Sequence, residues 1–300
     1  MRSISTLLLI LALALSGSCK EKQKIKISGS ETMNTMMRIL AENFNKSSSD
    51  FEVRVEGGGS VRGIADLANG VVDLIASSRE LLPHEAEAIQ MKGPAEQIVV
   101  AYDGTAIVVH PSNKLDRIHL KQASDIFSGR IQNWKALGGE DKAITVVIRS
   151  DQSGTAFFFR EHVLRQLDLG QAEYKLNKDA EYTSGAVVVN NNIEMAQVID
   201  QNPGAIGFMG MGSAEVDAAG RVKRLAYALR ASDPPVVASI ENVYNRKYRL
   251  GRPLYVLYHT GKPGVEEFVS FATGDEGQKT IAQSGYLRSS LPAVEVHEKK

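Results

Sequence analysis

One seven-residue segment carries the residue types best suited to bind a small anion. Its relevant members are Arg149, Asp151, Ser153, Gly154 and Thr155. The segment lies between an apolar run at 144–148, typical of a strand, and a stretch at 156–164 with apolar residues at helical spacing. The hydroxyls stand at helix-capping positions, and the glycine lets the backbone approach a ligand closely. Because the first amides of a helix lack intrahelical partners and carry the positive end of its dipole, an anion fits there.

Arg149 would add a permanent positive charge to this helix start. Its planar guanidinium suits a tetrahedral oxyanion, and we expect the carboxylate of Asp151 to pair with it and hold it in place. A capped helix alone would explain the Ser, Gly and Thr residues. The arginine and three further turns favour an anion site instead.

These three turns follow predicted strands in the first part of the chain. The strands end near Ile27, Val55 and Ala76. The turns supply Ser30, Glu31, Thr32, Ser60 and Ser78. Ligands of open α/β sheets bind beyond the carboxyl ends of the strands, where hydroxyls and helix-starting amides converge. Four such turns, with the one at 149–155, could therefore surround one small ligand.

The remaining pattern alternates strands with helices, which predicts an α/β fold with a largely parallel sheet. Two strand-like runs, at 97–102 and 105–110, are separated only by Asp103 and Gly104. So short a connection suits a crossing between two domains.

Composition and charge favour a small ligand over a polymer. The 300 residues include 35 basic and 35 acidic side chains, so we expect no nucleic acid as a partner. Six histidines are scattered without the spacing of metal ligands, and neither a nucleophile elbow nor a Walker loop is present. We therefore expect no enzyme activity, no metal and no cofactor.

The first 24 residues have the features of an export segment. A positive start precedes an apolar run at 7–15 that is too short to span a bilayer, followed by small residues and Cys19, the only cysteine. This pattern indicates a signal peptide at 1–18 and resembles a bacterial lipoprotein processing site. Residues 19–24 would then be a lipidated tether, holding an exported protein on a membrane in the periplasm or at the cell surface. Ordinary cleavage nearby is the alternative, because Ser16 stands where that pattern usually has Leu.

Seven short motifs occur together along the chain. They are SGSETM at 28–33, GGS at 58–60, IFSGRIQNW at 126–134, RSDQSGT at 149–155, PGAIGF at 203–208, RPLY at 252–255 and EGQ at 276–278. In combination they resemble the PstS-type phosphate-binding proteins, the substrate-binding subunits of high-affinity phosphate ABC transporters. The likeness extends from about Ile25 to Leu287.

The resemblance implies a type II periplasmic binding fold, in which two α/β lobes with mixed, mostly parallel sheets are joined by a two-strand hinge. It implies lobe I at 25–103 plus 249–300 and lobe II at 104–248, with crossings near Asp103 and Arg249. The phosphate-binding residues it implies are Ser30, Glu31, Thr32, Ser60 and Ser78 from lobe I, and Arg149 paired with Asp151, Ser153, Gly154 and Thr155 from lobe II. The implied partners of this expected monomer are inorganic phosphate and the permease subunits of an ABC transporter.

One position departs from the family pattern. Many relatives carry an Asp after the third strand, which accepts the proton of hydrogen phosphate and repels sulfate. Here that position is Ser78, followed by Arg79. A serine can accept that proton but can also donate, so it discriminates less sharply. We hypothesise that Glu31 or Asp151 supplies the missing acceptor.

The main hypothesis is therefore an exported protein that captures phosphate and delivers it to a transporter. The same scaffold could instead bind another oxyanion, such as sulfate or arsenate. An extracytoplasmic phosphatase or a phosphate sensor are the alternatives of a different class.

Overall fold

The computed structural model describes residues 21–216 and 218–289. The predicted signal peptide at 1–18 and the predicted lipidation site, Cys19, lie outside these residues. Within the described ranges, no helix is both long enough and apolar enough to cross a membrane.

Strands and helices alternate through most of the described chain. The strands are β1 (Gln23–Gly29), β2 (Phe51–Gly58), β3 (Leu74–Ser77), β4 (Ala95–Val109), β5 (Arg117–His119), β6 (Thr145–Arg149), β7 (Val187–Val189), β8 (Ala205–Gly210), β9 (Lys223–Arg224), β10 (Ala226–Ala228), β11 (Gly251–His259) and β12 (Leu287–Arg288). The helices are α1 (Asn34–Ser47), α2 (Ser60–Ala68), α3 (Pro83–Gln90), α4 (Leu120–Phe127), α5 (Gly154–Phe159), α6 (Gln171–Asn177), α7 (Asn192–Gln201), α8 (Met211–Val216), α9 (Ile240–Tyr244), α10 (Pro263–Thr273) and α11 (Asp275–Gln283). Single 3-10 turns lie at Trp134–Leu137 and Leu167–Leu169, and a π-helical turn at Arg160–Leu164 continues α5.

A mixed sheet connects the two halves of the molecule. Its strand order is β2-β1-β3-β11-β4-β8-β6-β7, with β9 and β12 also pairing with β4. Pairing is parallel between β1 and its neighbours β2 and β3, and between β6 and its neighbours β7 and β8. It is antiparallel where β4 and β11 run together through the middle. The parallel strands at both ends bring the predicted turns to their carboxyl ends, as a type II periplasmic binding fold requires.

The predicted pair of strands at 97–102 and 105–110 is in fact one strand. The 15-residue β4 pairs with β11 as far as Gly104 and with β8 from Thr105 onward. Asp103 is fully buried, and a Cβ on Gly104 would lie 2.8 Å from a methyl group of Val243. The Asp-Gly pair is therefore not a turn here, because packing on both sides keeps the strand extended.

Two main hydrophobic cores lie on either side of this crossing. The first includes Met33, Met36 and Met37, which are fully buried. Its members come from 25–101 and 254–286, whereas the second core draws on 106–250 and Leu287. We propose that these cores are those of lobes I and II, with the crossings near Asp103 and Arg249.

Three aromatic rings pack against one another in the second core. Phe159 stacks on Phe208 with ring centroids 4.2 Å apart, and Phe127 meets the Phe159 ring edge-on at 4.7 Å. Phe159 ends α5, the helix that begins with Gly154. Packing of its last residue therefore holds the start of this helix in position.

Replacing Phe208 by Ala should lower the free energy of unfolding by about 3–5 kcal/mol, because it removes a fully buried ring and leaves a cavity. Urea unfolding can be followed by the fluorescence of Trp134, the only tryptophan, which lies in the same core. Leu176→Ala is the control, since Leu176 is 79% exposed and its loss should cost less than about 0.5 kcal/mol. A loss below about 1 kcal/mol for Phe208→Ala would show that the ring does not support this core.

Candidate anion-binding site

The first predicted turn is held against the end of β3 by close backbone contact. Gly29 has φ 123°, and a Cβ there would lie 2.2 Å from the carbonyl oxygen of Ala76. The next amide, of Ser30, donates to the same carbonyl at 2.8 Å. Ser30 is 3% exposed, and its Oγ has no hydrogen-bond partner among the described residues. This buried hydroxyl can serve a ligand.

Glu31 positions the second turn. Its Oε1 accepts a hydrogen bond from the amide of Gly58 at 2.5 Å, and its Oε2 accepts from Asn34 at 3.2 Å. Gly59 follows in the left-handed region with φ 90°, and α2 starts at Ser60. Glu31 Oε1 therefore holds the loop that presents Ser60, while Oε2 is engaged by the first residue of α1.

Ser60 and Ser78 form a buried pair of hydroxyls. The Oγ of Ser60 accepts from the amide of Ser78 at 3.1 Å, and the two Oγ atoms are 3.3 Å apart. The residues are 0% and 1% exposed. Because Ser78 follows β3 directly, this contact joins the second turn to the third.

The fourth turn, at 149–155, belongs to the part of the chain after Asp103 and lies directly against these hydroxyls. Ser153 caps α5 by accepting from the amide of Ala156 at 3.2 Å, and Thr155 Oγ1 lies 2.7 Å from Thr32 Oγ1. A Cβ on Gly154 would lie 2.5 Å from Ser60 Oγ and 2.7 Å from Ser78 Oγ. Glycine is thus required by the close approach of two loops, and the structure is in a closed arrangement.

Arg149 is buried at the end of β6, but its partner differs from the one expected. Its guanidinium donates to Asn192 Oδ1 and to the carbonyl of Asn190, both at 2.7 Å. Burial lowers the pKa of Arg149 to about 10, and the carboxylate of Glu31 opposes that shift. Its Nε has no hydrogen-bond partner among the described residues.

The predicted pairing of Asp151 with Arg149 is wrong. The side chain of Asp151 is 89% exposed and lies 3.9 Å from Arg160. The chain turns sharply after the strand, with the amide of Ser153 donating to the carbonyl of Ser150. The turn directs Asp151 outward, so it contacts neither the buried guanidinium nor the neighbouring hydroxyls.

Asn192 is a site residue that the sequence analysis missed. It is 3% exposed, accepts from Arg149 and donates to Ser213 Oγ at 2.8 Å. A signal was present, because three asparagines at 190–192 follow a strand that turns out to lie parallel to β6. Neutral amides after that strand hold the arginine without neutralising its charge.

A second buried arginine, Arg252, was also missed. Its Nη1 donates to the carbonyl of Ser78 at 3.1 Å, and its Nη2 donates to Thr155 Oγ1 at 2.9 Å. Nη2 also lies 3.4 Å from Oδ2 of Asp103, which is fully buried. Burial raises the pKa of Asp103 and lowers that of Arg252, while each charge favours ionisation of the other. Local sequence gave no sign of this pair, since its members are far apart in the chain.

The structure thus brings the four predicted turns together, while the side chain of Asp151 points away from them. Their hydroxyls and amides are neutral donors, Asn192 and Ser213 connect the buried Arg149 to the carbonyl of Thr32, and Ser30 Oγ and Arg149 Nε have donor capacity left. Such a site can desolvate a small oxyanion because its oxygens find donors on several sides. Within the described ranges, no cluster of His, Cys, Asp or Glu is arranged to hold a metal ion.

Comparison with known proteins gives a consistent family. A family model described as the PBP superfamily domain matches residues 16–276. The phosphate-binding protein PstS of Borreliella burgdorferi is 26% identical over 292 residues, covering 96% of this chain and 99% of the relative.

Two solved structures share both sequence and fold with the chain. One, from Clostridium perfringens, is assigned as a phosphate ABC transporter substrate-binding protein and contains phosphate. It is 29% identical to this chain with a TM-score of 0.75, and the match covers 89% of this chain and 99% of the Clostridium chain. The other is an ABC-type phosphate transport receptor from Vibrio cholerae, which is 30% identical with a TM-score of 0.68. This match covers 88% of this chain and 99% of the Vibrio chain. The chain therefore belongs to the PBP superfamily, within its PstS-type family, and has the type II periplasmic binding fold.

Proposed function

We propose that this protein captures inorganic phosphate between its lobes outside the cytoplasm and delivers it to the permease subunits of an ABC transporter. One observation carries the proposal: buried hydroxyls from both lobes meet at Thr32 and Thr155, and Asn192 and Ser213 connect the buried guanidinium of Arg149 to the carbonyl of Thr32. The relatives support the same ligand, since PstS of Borreliella burgdorferi is named a phosphate-binding protein and the Clostridium perfringens structure holds phosphate.

The donors match what a phosphate dianion needs. Arg149 supplies charge, while Ser30, Ser60 and the Thr32–Thr155 pair supply hydroxyls and the start of α5 supplies amides. An anion removed from water must recover nearly all of its hydrogen bonds, so ligands with fewer acceptor oxygens leave buried donors unpaired. We propose that this donor set is the basis of selectivity for tetrahedral oxyanions.

Ser78 is the best placed acceptor for the proton of hydrogen phosphate. It is 1% exposed and lies beside Ser60 at the end of β3. Asp151 faces solvent, so it does not suit this role, whereas Glu31 uses one lone pair on each oxygen to hold Gly58 and Asn34. We therefore propose Ser78, with Glu31 as the second candidate, for discrimination between protonated and fully ionised oxyanions.

Closure of the lobes completes the site. Thr32 meets Thr155, Gly154 meets the Ser60–Ser78 pair, and the amide of Val61 donates to the carbonyl of Gln152 at 3.1 Å. Since residues before Asp103 face residues after it in each of these contacts, separating the lobes would expose the donors to water. Bending at the crossings near Asp103 and Arg249 would thus open the cleft and release the ligand.

Binding rather than catalysis fits the surroundings of the hydroxyls. Within the described part of the chain, Thr155 contacts Thr32 and Arg252, and Ser60 contacts Ser78. Neither arrangement provides a general base that could activate a nucleophile. A phosphatase is therefore the less favoured proposal, and a chromogenic phosphoester tests it directly through turnover.

Replacing Arg149 by Ala should weaken phosphate binding by more than about 2 kcal/mol, because a buried charged donor is lost. Isothermal titration of the mature protein with phosphate, arsenate and sulfate measures this loss and the selectivity together. We expect wild type to prefer phosphate to sulfate.

Arg160→Ala is the matched control for this titration. Arg160 lies in the same lobe but pairs with Glu181 at the surface, so its loss should change the binding free energy by less than about 0.5 kcal/mol. Equal effects of the two substitutions would contradict a role for Arg149 in the site. Tighter binding of sulfate than phosphate by wild type would replace phosphate with sulfate as the ligand.

We further propose that a monomer of this protein is held on a membrane through lipid on Cys19. The support comes from the apolar run at 7–15 and the small residues before Cys19. In a bacterial host that processes lipoproteins, wild type should partition with detergent-solubilised membrane, and Cys19→Ser should move to the aqueous fraction. Unchanged partitioning of Cys19→Ser would exclude the anchor, while phosphate binding by the mature protein should remain the same.

A further inference from the structure

Arg252 of lobe I reaches across to a hydroxyl of lobe II. Its Nη2 donates to Thr155 Oγ1 at 2.9 Å, and the same hydroxyl is 2.7 Å from Thr32 Oγ1. The guanidinium is fixed from behind by the carbonyl of Ser78 and by the buried carboxylate of Asp103. All five side chains are at most 2% exposed. These contacts occupy both terminal nitrogens of Arg252, while its Nε has no hydrogen-bond partner among the described residues.

The chemistry of the groups determines how Thr155 and Thr32 share their protons. Two hydroxyls offer two protons and four lone pairs, and an arginine can only donate. Arg252 therefore occupies a lone pair of Thr155, and its positive charge keeps the Thr155 proton from pointing toward it. One proton forms the bond between the threonines, and the other is left for a group on their remaining open side.

The geometry points to Arg252 as a positioning residue for the ligand. We propose that it orients the Thr155–Thr32 pair so that one hydroxyl proton always faces the bound oxyanion, and that it strengthens this donor by polarising the pair. This inference rests on the proposed function, because the open side of the pair is taken to face phosphate. Hydrogen bonds in a chain polarise one another, and a charged first donor strengthens the effect.

Another buried arginine, Arg79, allows this role to be separated from simple packing between the lobes. Arg79 stacks over Phe157 at 4.9 Å, much as Arg252 stacks over Phe158 at 5.4 Å. Arg79 donates to Glu85 and to the carbonyl of Glu80, and these contacts do not involve the site hydroxyls. Loss of Arg79 therefore removes a comparable stacked cation without disturbing the threonine pair.

The test is phosphate titration of Arg252→Met in three backgrounds: wild type, Thr155→Ser and Thr155→Val. Arg252→Met should weaken binding about tenfold or more when residue 155 keeps its hydroxyl, and should cause little further loss when that residue is Val. Arg79→Met should weaken binding by a smaller factor that is the same in all three backgrounds. Urea unfolding of each ligand-free variant separates effects on folding from effects on binding.

If Arg252→Met fails to fold because Asp103 loses its countercharge, Arg252→Lys replaces it in the same three backgrounds. A lysine keeps the charge but lacks the planar fork, so the same dependence on the hydroxyl should appear with smaller factors. An equal loss in the Ser and Val backgrounds would overturn the positioning role while leaving phosphate binding intact. Absence of phosphate binding by wild type would instead overturn the proposed function and this inference with it.

Discussion

The cost of taking a small, multiply charged anion out of water governs this structure. That cost is recovered only when donors approach the anion from several directions at once, because each oxygen carries several lone pairs. A single loop cannot surround an ion in this way. We propose that turns from two lobes meet the requirement together, so that the site is complete only when the lobes are closed.

The fold places these turns accurately because each follows the end of a strand that is anchored in a core. β1 and β3 lie side by side, which brings Ser30 next to the loop of Ser78, and β6 delivers Arg149 between neighbours β7 and β8. The continuous β4 links the two cores through a buried Asp103. Glycines at 29, 59 and 154 then allow approaches that any side chain would block.

Much of this arrangement could be predicted because its signals are local. Strand, polar turn and helix follow one another within about a dozen residues, so periodicity and capping residues reveal both the element and the site position at Ser60 or Thr155. The prediction for Asp151 failed because the turn after Arg149 points the Asp151 side chain away from the guanidinium, although the two residues are close in the chain. The predicted crossing near Asp103 lies within the continuous strand β4, because packing against Val243 keeps the chain extended where the Asp-Gly pair suggested a break.

The residues that sequence reasoning missed are those with distant partners. Arg252 contacts Thr155 and Asp103 across separations of 97 and 149 residues, and Asn192 reaches Arg149 across 43. The three asparagines at 190–192 were a local signal for Asn192, whereas the role of Arg252, within the RPLY motif, depends on tertiary pairing. Arg149 could be predicted from its local motif, whereas Asn192, which holds it, lies 43 residues further along the chain.

The most direct test of the central claim is a crystal structure of the mature protein with phosphate. The account predicts one phosphate ion between the lobes, with its oxygens within about 2.7–3.2 Å of Arg149 and of hydroxyls from both lobes, including Ser60 and Thr155. A phosphate ion bound by one lobe alone, or bound away from Arg149 while the lobes remain closed as described, would contradict it.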